Sequence, residues 1–205
     1  MIAAFINLKG GCGKSVSAVH LCRYLCGQQK QVALIDADAQ KTSSTWIENL
    51  DEGIPRPEFY RIADPDPLLD GLPAIAEEHD ETVVDGAGGL AEVQRTILLL
   101  AELVFIPVQP NFADITASHE AIQAVRRARK VRGGAPNAYT VLMREAEEVL
   151  SQYQDVPLLQ TQIPQRQAVA DSMGQGKTLF DSRGVRGATD VAHRYRRLFK
   201  EAGYT

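Results

Sequence analysis

Two lysines bracket a glycine run near the start of the chain: Lys9-Gly10-Gly11-Cys12-Gly13-Lys14-Ser15. An apolar run at 2–6 precedes it and a helix-like stretch follows. Strand, glycine loop and helix N-terminus together make a phosphate cradle. Glycines let backbone N–H groups curl around an anion, and the helix adds the positive end of its dipole. Lys14 is placed to reach β- and γ-phosphates, and the Ser15 hydroxyl to ligate Mg²⁺. The loop departs from the general pattern, which wants glycine where this chain has Leu8. A second lysine, Lys9, stands beside it instead.

Carboxylates fall where such a site needs them. In open α/β sheets, ligands bind beyond the carboxyl ends of the strands. The apolar run at 31–35 ends in Asp36, with Asp38 two residues on, and Thr82-Val83-Val84 ends in Asp85. Aspartates are common in turns. Three of them beside a phosphate loop are hard to explain by turns alone and mark the ligand end of the sheet.

The elements that must position these groups alternate. Strands are expected at 2–7, 31–35, 58–62, 82–84, 103–108, 138–143 and 156–160. Helices are expected at 14–28, 42–50, 67–79, 91–101, 114–132, 145–154, 166–174 and 187–202. This alternation implies an α/β fold with a mostly parallel, twisted sheet covered by helices on both faces. The 205 residues suit a single domain spanning 1–205, with no repeat or low-complexity segment.

Composition narrows the function classes. Hydrophobic residues make up 44%, and no apolar run is long enough to span a membrane. The phosphate loop comes so early that no signal peptide is expected, which points to a cytoplasmic location. Three cysteines, Cys12, Cys22 and Cys26, are too few for a disulfide framework. Cys22 and Cys26 read as small core residues of one helix, and Cys12 as oxidisable if exposed. The net charge of −4 means that any nucleic-acid affinity must come from a local patch.

K-G-G-x-G-K-[ST] near the start of a chain resembles the deviant Walker A box of the ParA/MinD family of ATPases. Asp36-Ala37-Asp38-Ala39-Gln40 resembles that family's D-x-D-P-Q switch I, with Ala39 in place of proline. Asp85-Gly86-Ala87-Gly88-Gly89 resembles its Walker B and switch II. Ile106-Pro107-Val108-Gln109-Pro110 and 161–166, containing Ile163-Pro164-Gln165-Arg166, match two further segments.

The resemblance implies a P-loop NTPase fold, ATP and Mg²⁺ as cofactors, and a homodimer formed with ATP. It implies nucleotide contacts from Gly10, Gly11, Cys12, Gly13, Lys14, Ser15, Val16 and Pro164. It places Ser15, Asp36 and Asp85 around the metal. Asp38 would orient the attacking water, and Lys9 would reach across the dimer to the partner's ATP. Hydrolysis would be slow and stimulated by an adaptor or a ParB-like centromere-binding protein. The compact length matches the small ParA type, which positions plasmids, chromosomes or protein organelles on the nucleoid.

Such relatives bind DNA without sequence preference. Two basic clusters are candidates: Arg126, Arg127, Arg129, Lys130 and Arg132, and Arg194, Arg196, Arg197 and Lys200, with Arg183 and Arg186 just before. Basic residues also suit helix C-termini and solvated faces. The alternatives are a membrane-patterning ATPase of the MinD type, in which the last helix would meet lipid, and a metabolic or metal-cluster ATPase on the same fold.

Overall fold

The computed structural model describes residues 1–89, 91–109, 112–142, 153–164, 167–182 and 184–205. Pro110, Gln165, Arg166 and Arg183 lie outside these, as does the helix expected over 145–154 up to residue 152.

The chain runs β1 (Ile2–Phe5), α1 (Lys14–Cys26), β2 (Val32–Asp36), α2 (Thr42–Glu48), β3 (Glu58–Arg61), α3 (Pro65–Glu77), β4 (Glu81–Asp85), α4 (Ala91–Leu100), β5 (Leu103–Val108), α5 (Phe112–Arg132), β6 (Asn137–Leu142), α6 (Gln167–Gly174) and α7 (Ala188–Glu201). The six strands form one sheet in the order β3-β2-β4-β1-β5-β6, and every pairing is parallel.

Strand side chains alternate between the two faces, as a two-residue period demands. Phe5, Leu34, Val83 and Phe105 join a core with α1, α2 and α7. Ile6, Ile35, Val84 and Ile106 join a second core with α3, α4 and α5. Fully buried Trp46, Tyr195, Phe5, Phe105 and Phe199 anchor the first core, each worth roughly 1.5–3 kcal/mol of burial. Cys22 is buried on α1 and Cys26 half-buried.

Two boundaries differ from expectation for clear reasons. α3 begins at Pro65, two residues early, because proline in the first turn lacks only an N–H that would have no intrahelical partner. The strand expected at 156–160 shrinks to a single parallel bridge between Thr140 and Leu158. Pro157 has no N–H to extend the ladder and contributes only its carbonyl, to the Thr140 N–H.

Candidate nucleotide and metal site

β1 lies between β4 and β5, so the chain crosses the sheet in opposite directions on either side of it. The loop after β1 therefore opens at the point where such sheets bind ligands. Asn7 fixes its base. The Asn7 amide donates to the Pro107 carbonyl (2.8 Å), and its oxygen accepts from the Lys9 N–H (3.2 Å). Gly11 (φ 75°) and Gly13 (φ 98°) carry left-handed backbone at the entry to α1. The Gln109 amide donates to the Gly11 carbonyl (2.8 Å) from beyond β5. Asn7 drew no attention in the sequence, because an asparagine after a strand carries no signal until both of its partners are in place.

Lys14 is buried, and its ammonium donates to the Lys9 carbonyl at 2.9 Å. Cys12 is buried as well, its thiol donating to the same carbonyl at 3.3 Å. The thiol is thus shielded from oxidants.

The two strand-end aspartates face each other in register, Asp36 on β2 opposite Asp85 on β4. Their environments differ. Asp36 accepts from the Asp38 N–H (3.2 Å) and from the Ser44 N–H (2.8 Å) in the first turn of α2. It caps α2 from a distance, with a carboxylate at the positive end of the helix. Asp85 is fully buried, and among the described residues neither carboxylate oxygen has a hydrogen-bond partner. Burial pushes its pKa up to about 7. The Ser15 and Ser43 hydroxyls lie close enough to draw the value back down, but neither makes a hydrogen bond to it in good geometry. An orphaned buried carboxylate beside a phosphate loop fits a hydrated Mg²⁺, which favours oxygen ligands and retains waters.

Asp38 is half-buried and bridges the two loops. One oxygen accepts from the Gln40 N–H (3.0 Å), the other from the Gly88 N–H (3.2 Å). Gly88 packs against Gly10 and Lys14, where an added Cβ would lie 3.5–3.6 Å from both. Gly86 has no room at all, since a Cβ there would lie 2.7 Å from the Phe5 carbonyl oxygen.

Beside the loop opens a cavity of about 570 Å³, lined by Gly11, Val16, Trp46, Pro164, Met173 and Tyr195 among others. That volume suits a small-molecule ligand. Val16 and Pro164 both border it. Trp46 and Tyr195 also border it, although their sequence context marks them only as core residues.

The basic clusters divide by engagement. Arg126 forms a two-pronged ion pair with Asp155 (2.6 and 2.8 Å) and lies over the Tyr153 ring. Arg129 donates to the Pro136 and Asp155 carbonyls, and Arg132 to those of Leu98 and Ala101. Arg127 and Lys130 are exposed. On α7, Arg194 pairs with Asp190 (3.4 Å) and Arg196 lies over the Phe180 ring (4.8 Å), while Arg197 and Lys200 are exposed.

This architecture is shared with known proteins. The chain is 35% identical to VirC1 of Rhizobium radiobacter over 119 residues, 56% of this chain and 51% of that protein. It thus spans about half the length of that relative. It is 26% identical to the maintenance of carboxysome distribution protein A, McdA, of Halothiobacillus neapolitanus, over 90% of this chain and 88% of that protein. It is also 26% identical to the chromosome-partitioning ATPase Soj of Thermus thermophilus, over 97% and 93%. Among solved structures, MinD of Pyrococcus horikoshii complexed with Mg-ADP superposes with a TM-score of 0.76 at 18% identity, covering 98% of this chain and 97% of that one. A McdA aspartate-to-alanine variant from Cyanothece in complex with ATP superposes at 0.74 and 13% identity, covering 100% and 96%. The model of the CobQ/CobB/MinD/ParA nucleotide-binding domain matches residues 3–179, and the chain belongs to that family.

Proposed function

We propose that this chain is an ATP-dependent dimerisation switch with slow, partner-stimulated ATPase activity, which partitions or positions a cargo on nonspecific DNA. The single observation that carries the reading is the Asp38–Gly88 hydrogen bond, which joins the loop after β2 to the loop after β4 directly over Lys14. In this reading Lys14 and the backbone of Gly10–Ser15 hold the phosphates. Ser15, with Asp36 and Asp85 behind it, holds the metal. Bound magnesium supplies positive charge that offsets the charge developing on the transferred phosphoryl group. Asp38 orients the attacking water, and Gly88 and Gly89 let their loop move as the γ-phosphate comes and goes. Lys9 acts across the dimer, where two triphosphates bring concentrated negative charge that a cation from each side offsets.

The cargo reading draws on McdA and Soj, whose names refer to carboxysome distribution and chromosome partitioning. DNA contact would come from the exposed cations Arg127, Lys130, Arg186, Arg197 and Lys200. Dimerisation doubles the basic surface, so ATP gates DNA affinity without altering the patch. DNA is favoured over a lipid surface because Val191, Tyr195, Leu198 and Phe199, the apolar side of α7, are buried in the core. Among the described residues no helix is long and apolar enough to cross a membrane. One domain carries all of these roles, at a cytoplasmic, nucleoid-associated location.

Sedimentation velocity and DNA retardation, each with ADP and with ATP, test the proposal. The expected result is a dimer and DNA binding with ATP alone. Lipid co-sedimentation without DNA binding overturns the DNA assignment, and a monomer in ATP overturns the switch.

A further inference from the structure

Among the described residues, three buried polar atoms of the strand-end region lack hydrogen-bond partners: both carboxylate oxygens of Asp85 and the Ser43 hydroxyl. Ser43 is fully buried in the first turn of α2. Its neighbour Ser44 is already committed, the N–H to Asp36 and the hydroxyl to the Lys41 carbonyl and the Arg61 guanidinium. Among the described residues the Ser43 hydroxyl has no partner, and the Ser44 N–H bond to Asp36, which stands in register opposite Asp85, sets this turn of α2 against the strand-end carboxylates. Buried polar atoms without partners are rare and destabilising, so a cluster of them marks a place that a ligand completes.

We propose that Ser43 is a positioning residue for the divalent cation. Its hydroxyl donates to one Asp85 oxygen, leaving the other to accept from the hydrated metal. Ser15 reaches this centre from the phosphate loop, whereas Ser43 reaches it from α2, the helix that directly follows the Asp38 loop. Metal loading is thereby tied to the position of the loop that carries Asp38. The inference rests on the reading of the site as one for Mg²⁺ and nucleotide.

The test compares wild type with Ser43→Ala, using a fluorescent ATP analogue titrated with Mg²⁺ and, separately, in EDTA. A hydrogen bond to a charged group sets the expected size: the Mg²⁺ midpoint rises roughly ten-fold in the variant. Affinity in EDTA is unchanged, and the melting temperature in EDTA is equal or higher, since a methyl group replaces an unpaired hydroxyl. An unchanged Mg²⁺ midpoint overturns the inference. So does an equal loss of affinity in EDTA, which would place the effect on the phosphate loop. If wild type itself binds the analogue without Mg²⁺ dependence, the reading of the site fails first, and the inference with it.

Discussion

Asp38 and Gly88 are 50 residues apart in sequence, yet the Asp38 carboxylate accepts a hydrogen bond from the Gly88 N–H at 3.2 Å. The bond joins the two loops that flank the phosphate cradle. Whatever displaces Gly88 releases one oxygen of Asp38 at the same moment, so the group proposed to orient water and the loop proposed to sense phosphate respond together.

Asp38→Ala should leave ATP binding intact and slow hydrolysis by about 10²-fold or more, the usual contribution of a positioned general base. Single-turnover phosphate release measures it. A rate within a few-fold of wild type would remove Asp38 from that role.

Lys14→Gln should weaken nucleotide binding by well over ten-fold, because the buried ammonium at the loop is removed. Isothermal titration with ATP is the check, and normal affinity would refute the assignment.

Lys9→Ala should bind ATP and yet fail to form a stable ATP dimer. Sedimentation velocity showing an unchanged dimer would sink the cross-interface role.

The basic clusters should respond differently to alanine. Removing Arg197 and Lys200, both exposed, should weaken DNA binding and flatten its salt slope by about one for each phosphate left without its cation. Arg126→Ala breaks the Asp155 ion pair instead, and should cost stability within the ~0–1 kcal/mol typical of surface pairs. If the slope stays constant without Arg197 and Lys200, the DNA surface lies with Arg127 and Lys130.

His20 provides a pH test of the core. It is fully buried, its Nδ1 on the Val16 carbonyl (2.7 Å) and its Nε2 accepting from the Leu179 N–H (3.1 Å), with its ring stacked on Tyr195. Burial pushes its pKa down to about 4. Above pH ~6.5 the ring is neutral folded or unfolded, and its contribution to stability is whole. As pH falls toward 4 the unfolded chain takes the proton first, and up to about 3 kcal/mol is lost. Asp85 drifts the opposite way over a similar range, so the readout is the stability gap between wild type and His20→Gln, which carry the same Asp85. That gap should narrow between pH 7 and pH 4, and a constant gap would show that His20 titrates normally.

Much of this site was legible because its chemistry is written in contiguous residues. The cradle is one short loop, and Asp36 and Asp85 each end a short continuous apolar run of the kind that a strand buried on both faces needs. What escaped was chemistry that depends on distant partners. Asn7 acts through Pro107 and Gln109 through Gly11, neither of which is adjacent in the chain. Arg126, Arg129 and Arg132 read in sequence as a DNA-facing or solvated charge run, because sequence does not show that Asp155 and the carbonyls of Pro136, Leu98 and Ala101 take up these guanidinium groups. The strand expected at 156–160 failed on one missing N–H at Pro157.

The Lys14 ammonium rests on the Lys9 carbonyl. On the proposed reading that carbonyl stands in for a phosphate oxygen, keeping a buried cation satisfied until nucleotide competes for it. The Cys12 thiol donates to the same carbonyl, and the Lys9 N–H is held by Asn7. On the proposed reading, a phosphate that draws the ammonium away leaves the Lys9 carbonyl to the Cys12 thiol alone, so that filling the cradle is felt at the peptide of the loop's other lysine.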